Sequence, residues 1–442
     1  MAEYKAPQNK KEFDENFAQI KPLMSETEAY YESSRCLFCY DAPCVNACPT
    51  GIDIPLFIRQ INSKNETGAA KTIYDSNYFG YACGKVCPTE VLCEGACVYN
   101  HSDVKPIEIG RLQSFATQKA IASDKILYHP KASGGKKVAV IGAGPAGISC
   151  ACELRLHGYD VDIFEAKSMP SGLTVHGVAP YKITNQEVLA EMKYLQKQFG
   201  FNIHYRKAID TIEEFDELEE TYDAIFLGVG LASTLPIRIK GEKLDNVFGA
   251  VEIIEKFRLS QHQVSVPEKV IVLGGGNTAM DAASESARMG AASVILAYRR
   301  SKEEMGAYDF EYELAKSVGV KGLFNVSPVE ILGDHKVTGV KFIRTQTKQG
   351  RVEAIPGSEF VETCDWVIKA TGQSKHTDVF SNFSGIELRT DGRILVSDEF
   401  QTTHPNYFAA GDAVSGGEEV VNAAADGKRA ALGIIRYLTI ND

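Results

Sequence analysis

No run of apolar residues in this 442-residue chain approaches the ~18 that a membrane-spanning helix needs, so no membrane partner is expected. No long basic run occurs either, and the formal net charge is −11, so a nucleic-acid partner is not expected. The opening stretch MAEYKAPQNKKEF lacks an apolar h-region, so no secretory leader is expected there. No low-complexity segment interrupts the chain, and no eightfold strand–helix series could build a (β/α)8 barrel. Together these absences point to a soluble protein of a reducing, cytoplasmic compartment. Thiols stay reduced there, so a disulfide framework is not expected. A hydrophobic content of 44% is ample for a core, and the length suggests two to four domains.

Cysteine is concentrated where the chain does have it. Eight of the eleven cysteines fall between positions 36 and 97. The first group reads Cys36-x2-Cys39-x4-Cys44-x3-Cys48-Pro49, and the second Cys83-x3-Cys87-x5-Cys93-x3-Cys97. Thiolates hold iron–sulfur clusters four at a time, and in two-cluster folds the last cysteine of a run often serves the other cluster. Two groups of four suit two clusters. Zinc is the rival, but its motifs usually repeat a C-x2-C pair, and only Cys36/Cys39 has that spacing. By spacing alone Cys83 would count among the ligands, since thiolate is the default donor.

After a polar linker at residues 129–137 the pattern changes to strand, glycine turn, helix, strand. Val138–Ile141 feeds Gly142-Ala143-Gly144-Pro145-Ala146-Gly147, a helix runs to about His157, and a strand spans Asp160 to Glu165. In a dinucleotide site Gly142 makes the tight turn, Gly144 lets the backbone approach the pyrophosphate, and Gly147 lets helix and strand pack. Glu165 stands where an acid binds a ribose hydroxyl.

The pattern returns at Val270–Leu273, followed by Gly274-Gly275-Gly276-Asn277-Thr278-Ala279 and a strand over Ser293 to Tyr298. Gly274, Gly276 and Ala279 form GxGxxA, with Asn277 opening the helix. Here the second strand ends in Arg299-Arg300 instead of an acid. Arginines suit a 2′-phosphate, which favours NADP(H) over NAD(H); the plainer alternative is a solvated basic turn. Residues 301–370 read as short strands and turns.

Near the C-terminus stands Thr402-Thr403-His404-Pro405-Asn406-Tyr407-Phe408-Ala409-Ala410-Gly411-Asp412. It resembles the signature of two-dinucleotide-domain flavoproteins. The resemblance implies that Gly411 and Asp412 belong to an FAD site, with Asp412 on the ribityl chain. It also implies that the helix opened by Glu419-Val420-Val421-Asn422 points Val421 and its N-terminus at the flavin. Disulfide reductases of this build need a redox-active cysteine pair at the flavin. Neither Ser171-Gly172-Leu173-Thr174 nor Asn277-Thr278-Ala279-Met280 holds one, and Cys150, Cys152 and Cys364 read as packing residues. Hydride transfer between nicotinamide and flavin needs no acid–base residue from the protein, so no catalytic residue is expected.

The words Arg35-Cys36-Leu37-x-Cys39, Asp41-Ala42-Pro43-Cys44, Ala47-Cys48-Pro49, Val86-Cys87-Pro88-Thr89-Glu90 and Ile109-Gly110-Arg111-Leu112-Gln113 carry a fuller resemblance. The chain resembles the electron-input subunits of bacterial NAD-dependent dihydropyrimidine dehydrogenases and the N-terminal half of the eukaryotic enzyme. The glutamate synthase small subunit shares the architecture. The resemblance implies an α/β chain with a helical iron–sulfur domain (residues 1–130) and an FAD domain (131–235 and 371–442) interrupted by an NAD(P)H domain (236–370). It implies one [4Fe–4S] cluster on Cys36, Cys39, Cys44 and Cys97, and a second on Cys48, Cys87, Cys93 and Gln113, leaving Cys83 spare. Gly172 would lie near the flavin, where the family often has Gly-Gly and this chain has Ser171-Gly172. It implies a hetero-oligomer in which an FMN-containing partner reduces uracil and thymine. The alternatives are a glutamate synthase small subunit, a ferredoxin–NADP transhydrogenase subunit, or a flavoprotein whose cysteine region is a zinc-held docking module.

Overall fold

The computed structural model describes residues 4–380 and 385–440. The chain divides into two compact units. One consists of Met1–Gln19, His176–Tyr181 and Ala232–Ser374, the other of Ile20–Val175, Lys182–Leu231 and Lys375–Asp442.

The second unit holds a five-stranded parallel sheet in the order Tyr407–Ala409, Ala224–Leu227, Lys137–Ile141, Asp160–Glu165, Asn202–Tyr205. Parallel neighbours need crossover connections. The helix Pro145–Leu156 supplies the first, and Asn185–Phe199 lies between the second and third strands of the chain. The centre of the sheet is apolar on both faces, as a covered parallel sheet must be: Val138, Ala139, Val140 and Ile141 are all buried. The closing helix Val420–Ile440 packs along Pro145–Leu156.

The cysteine-bearing part of this unit is helical. Ser25 and Glu28 form a capping box that starts Glu26–Ser34, and Asp53 caps Ile54–Asn62. Ile54, Phe57, Ile58 and Ile61 fall at helical spacing and are buried on one stripe. They share a core with Ile73, Leu112 and Phe115. The helices Gly80–Val86 and Ile109–Ala122 touch through glycine: a Cβ on Gly84 would sit 2.7 Å from the Gly110 carbonyl oxygen. The Ile109-Gly110-Arg111-Leu112-Gln113 word opens the helix Ile109–Ala122.

The first unit repeats the parallel sheet, in the order Val247–Gly249, Trp366–Lys369, Lys269–Leu273, Ser293–Tyr298, Lys321–Phe324. It adds an antiparallel sheet built on the long strand Val337–Lys348, paired with Val326–Gly333, Arg351–Ala354 and Phe360–Thr363. One stretch that reads as strands and turns holds a helix, Asp309–Ser317, with Tyr312 and Ala315 buried three residues apart. Glu311, Glu313, Leu314, Ala315 and Lys316 are strong helix formers, so local propensity and the buried stripe agree there.

Residues near the N-terminus stand with this unit, although they precede the cysteines in sequence. Phe13 and Phe17 join its core, and Phe17 stacks on Tyr181. Asn16 Nδ2 donates to the Arg288 carbonyl at 2.7 Å, and Arg288 Nη1 donates to the Asn16 carbonyl at 2.7 Å.

Candidate functional site

Four of the sequence's cysteines ring one cavity. Cys36, Cys39, Cys44 and Cys97 line it, with Ala42, Pro43, Ile54, Ile58, Ile107 and Ile109 closing the apolar remainder. The cavity draws residues from both cysteine groups, the crossing pattern of two-cluster folds. Burial pushes the Cys44 thiol up to about 12, helped by the negative charge of Cys36 and Cys97. Cys36 is also raised by burial, then by Cys39 and Cys97. Such a ring holds thiolates only when positive charge enters it. Among the described residues no three His, Cys, Asp or Glu side chains converge as the ligands of a single ion would. A four-iron cluster asks for a different shape, because each thiolate binds its own iron and the sulfurs surround a void. The cavity and its donor set fit such a cluster.

A second set gathers around the helix Gly80–Val86. The Cys87 thiol is pushed well up, first by a hydrogen bond with Cys83, then by burial and by the charge of Cys83, Cys48 and Glu419. Cys93 is raised by burial, then by Glu94, Cys87 and Cys48. Cys48, Cys83, Cys87 and Cys93 therefore share one neighbourhood. Gln113 is buried, and its Nε2 donates to the Gly80 carbonyl at 2.6 Å. That bond occupies the amide nitrogen, so the ligating end of Gln113 would be its oxygen. All eleven cysteines are free thiols.

The first glycine turn is shaped as a dinucleotide cradle. Gly142 has φ +97°, and a Cβ on Gly147 would lie 1.9 Å from the Gly142 carbonyl oxygen, so neither tolerates a side chain. Around Gly144 the space is open, with the nearest atom to a built Cβ 3.9 Å away. Glu165 is buried and accepts from Ala143 N at 2.8 Å and Lys167 N at 2.7 Å. Facing loops complete the cradle. Ser171 N donates to the Ala143 carbonyl at 2.6 Å, and the Gly172 backbone approaches Gly144. The hydroxyls of Ser171 and Thr174 are buried without a hydrogen-bond partner among the described residues. Open backbone and orphaned hydroxyls together fit a polar cofactor such as FAD.

Asp412 stands at the same end of the sheet, just beyond the strand Tyr407–Ala409. Its Oδ1 accepts from Glu418 N at 3.2 Å, and burial raises its carboxyl. Gly411 reaches it with φ +68° and lies against Ala146 of the first turn. Val421 is buried at the start of the last helix. That helix also reaches the cysteines. Arg429 Nη2 donates to the Pro49 carbonyl at 3.1 Å, next to Cys48, and Glu419 lies near enough to act on Cys87. Asp426 of the same helix is pushed up to about 6 by burial, with Arg429 opposing and Glu418 and Asp412 adding to the rise. The flavin-type residues and the second cysteine set are thus joined by one element.

The second glycine turn lies in the other unit. Gly274 packs on the Ala370 carbonyl, and no atom lies within 4 Å of a Cβ built on Gly276, which leaves the approach open. Asn277 begins the helix Asn277–Arg288, and its Oδ1 accepts from Tyr308 N at 3.0 Å. Ala279 is fully buried beneath the turn. The backbone of both arginines is pinned: Thr345 Oγ1 donates to the Arg299 carbonyl at 2.8 Å and Asn325 N to the Arg300 carbonyl at 3.0 Å. Arg299 is exposed, and Arg300 Nε is buried without a hydrogen-bond partner among the described residues. A buried guanidinium donor left open in this way fits an anionic ligand.

Several residues of these sites carry no motif. Gly228, after the strand Ala224–Leu227, walls the first turn: its carbonyl would be 2.5 Å from a Cβ on Gly142. Ala370 does the same for Gly274. The local signal, a glycine soon after a buried strand, was present in Gly228-Val229-Gly230 and Thr371-Gly372. Glu191 has no such signal, because only long-range packing brings it to the cysteine helices, and Glu419 is marked in sequence only as the opening of the last helix.

Residues 13–125 match the family model of dihydropyrimidine dehydrogenase domain II, 4Fe-4S cluster, and residues 136–427 match that of pyridine nucleotide-disulphide oxidoreductase. The chain is 34% identical to the Escherichia coli K12 NAD-dependent dihydropyrimidine dehydrogenase subunit PreT, covering 95% of this chain and 97% of that one. It is 33% identical to the glutamate synthase [NADPH] small chain of the same organism, covering 96% and 94%. Mycobacterium tuberculosis FprA, solved in complex with NADPH, shares the fold at TM-score 0.58 and 18% identity, over 69% of this chain and 85% of that one. No helix among the described residues is long and apolar enough to cross a membrane.

Proposed function

Because this chain belongs to the family of PreT and the glutamate synthase small chains, and is an NAD(P)H-dependent oxidoreductase with iron–sulfur and flavin sites, we propose that it is the electron-input subunit of a larger complex. When bound, the cofactors supply the chemistry: nicotinamide gives hydride to FAD, and two [4Fe–4S] clusters carry the electrons away singly. The protein's own residues bind, orient and shield. The first turn with Glu165, Gly172, Gly411 and Asp412 holds FAD. The second turn with Arg299 and Arg300 holds NADPH in preference to NADH. Cys36, Cys39, Cys44 and Cys97 hold one cluster, and Cys48, Cys87 and Cys93 hold the other with Gln113 or Cys83 as the fourth donor.

One observation carries this reading. The helix Val420–Ile440 starts beside Asp412, its Arg429 reaches Pro49, and Glu419 just before it acts on Cys87. A flavin seated at Asp412 would therefore lie closest to the Cys48/Cys87/Cys93 set. The order is FAD, that set, then the Cys36/Cys39/Cys44/Cys97 cavity.

The N-terminal match to dihydropyrimidine dehydrogenase domain II favours an FMN-containing pyrimidine-reducing partner. The similarity to the glutamate synthase small chain keeps a large glutamate synthase chain as the second reading. Metal and flavin analysis of anaerobically purified protein tests the core of the proposal. About eight irons and one FAD per chain, bleached by NADPH, is the expected result. Zinc without iron would contradict it. Co-expression with each partner type then separates the two assemblies, by which one yields a stable complex active with NADPH.

A further inference from the structure

The short helix Gly80–Val86 ends on Cys87 and carries Cys83, yet its own N-cap, Phe79, offers no side chain to its first amides. A carboxylate from far along the chain does so instead. Glu191, on the helix Asn185–Phe199, accepts from Tyr81 N at 2.6 Å and from Ala82 N at 3.0 Å. Tyr74 Oη adds a third donor at 3.2 Å. Gln113 grips the same turn from the other side, through the Gly80 carbonyl. Glu191 is fully buried. A carboxylate is removed from water at high cost unless its bonds are needed there. A buried acid capping a helix across about a hundred residues is costly as a mere cap, since a serine at position 79 would serve locally.

We propose that Glu191 is a positioning residue: it fixes the first turn of the helix Gly80–Val86 and so sets where Cys87 and Gln113 stand for the cluster of Cys48, Cys87 and Cys93. The inference rests on the reading of that set as a cluster site. It ties the stretch that follows the first glycine turn to the cluster nearest the flavin. Nothing in it requires Glu191 to touch the cluster or the substrate.

The test uses the full chain purified anaerobically with its cofactors. Iron release to a chelator is followed together with the electron paramagnetic resonance of the reduced protein, in wild type, Glu191→Gln, Glu191→Leu and Tyr74→Phe. Glu191→Gln keeps one acceptor oxygen, so it should release about half of its iron some tenfold faster than wild type, with one of the two cluster signals altered and FAD retained. Glu191→Leu should go further, and Tyr74→Phe less far in the same direction. A residue that only stabilised the fold would speed loss from both clusters alike. Equal loss from both clusters, or rates within twofold of wild type in Glu191→Gln and Tyr74→Phe, would overturn the inference. If Glu191→Leu fails to fold, those two variants decide. The wild-type protein is its own control for the underlying reading: absence of two cluster signals there would overturn that reading and this inference with it.

Discussion

The two glycine turns start alike and finish differently. Each follows a buried strand, opens a helix and is walled by a backbone carbonyl, from Gly228 in one case and Ala370 in the other. The first turn is enclosed around the open space at Gly144. Its second strand ends in Glu165, whose carboxylate already accepts two backbone amides, and Gly172 and Gly411 close over it. The second turn is open, with space at Gly276 and an Arg300 Nε unpaired among the described residues. The proposed function assigns the first motif to a cofactor that stays and the second to one that comes and goes. The difference lies in the groups that surround the glycines.

The largest expected effect is steric and contrasts the packing glycine of the first turn with the open middle glycine of the second. Gly147→Ala forces a Cβ against the Gly142 carbonyl at 1.9 Å, whereas the Cβ of Gly276→Ala meets nothing within 4 Å. Gly147→Ala should purify without flavin and with a lowered Tm, since overpacking of this kind costs about 1–3 kcal/mol or more. Gly276→Ala should keep its flavin and Tm and raise the KM for the nicotinamide. Matching flavin contents in the two variants would break the comparison.

One buried carboxylate of the cysteine-bearing unit responds to pH. Glu191 is raised to about 7 by burial, against the lowering pull of the Ala82 and Tyr81 amides and the Tyr74 hydroxyl. Its folded value lies above the ordinary 4.5, so between about 4.5 and about 7 the folded chain binds more protons than the unfolded one. Stability must then fall as pH rises through that window, by on the order of 3 kcal/mol from this group. Melting wild type and Glu191→Gln across pH 5–8 reads it directly. The wild-type advantage should shrink toward pH 8, and an advantage constant with pH would contradict the assignment.

A smaller effect sharpens the nucleotide choice. A charge-assisted hydrogen bond is worth about 1.5–3 kcal/mol, so Arg300→Ala should raise the KM for NADPH roughly 10- to 100-fold. The KM for NADH should change little. Equal losses for both would turn the arginine pair back into a solvated basic turn. The smallest effect belongs to Glu165→Gln, which keeps one acceptor for the two amides. Equilibrium dialysis should show FAD bound several-fold more weakly, about 1 kcal/mol.

Much of this was legible in the sequence because it is written locally. The strands Asp160–Glu165 and Ser293–Tyr298 were readable to the residue, since each alternates part-buried and buried positions and is bounded by turn signals. The two glycine turns were readable because the motif, its strand and its helix are contiguous. Spacing suggested clusters but could not pair the thiols: Cys97 joins Cys36, Cys39 and Cys44 around one cavity only after the chain folds back. Gln113 gave no local sign at all, and only family resemblance raised it. Glu191 and the clasp between Asn16 and Arg288 were illegible for the same reason, as each joins residues about a hundred or more positions apart. The helix Asp309–Ser317 was legible in its helix formers Glu311, Glu313, Leu314, Ala315 and Lys316, and a reading of residues 301–370 as strands and turns passes over them.

The central claim is an order: flavin first, the Cys48/Cys87/Cys93 set next, the Cys36/Cys39/Cys44/Cys97 cavity last. It is tested by mixing NADPH anaerobically with wild type, Cys36→Ser and Cys87→Ser, and freezing samples for paramagnetic resonance as the flavin bleaches. The account predicts that Cys36→Ser still shows its remaining cluster reduced at the wild-type rate. It predicts that Cys87→Ser bleaches its flavin normally while the cluster of the Cys36 cavity is reduced far more slowly. Wild-type reduction of that cluster in Cys87→Ser would contradict it, because electrons would then be leaving the flavin by another path.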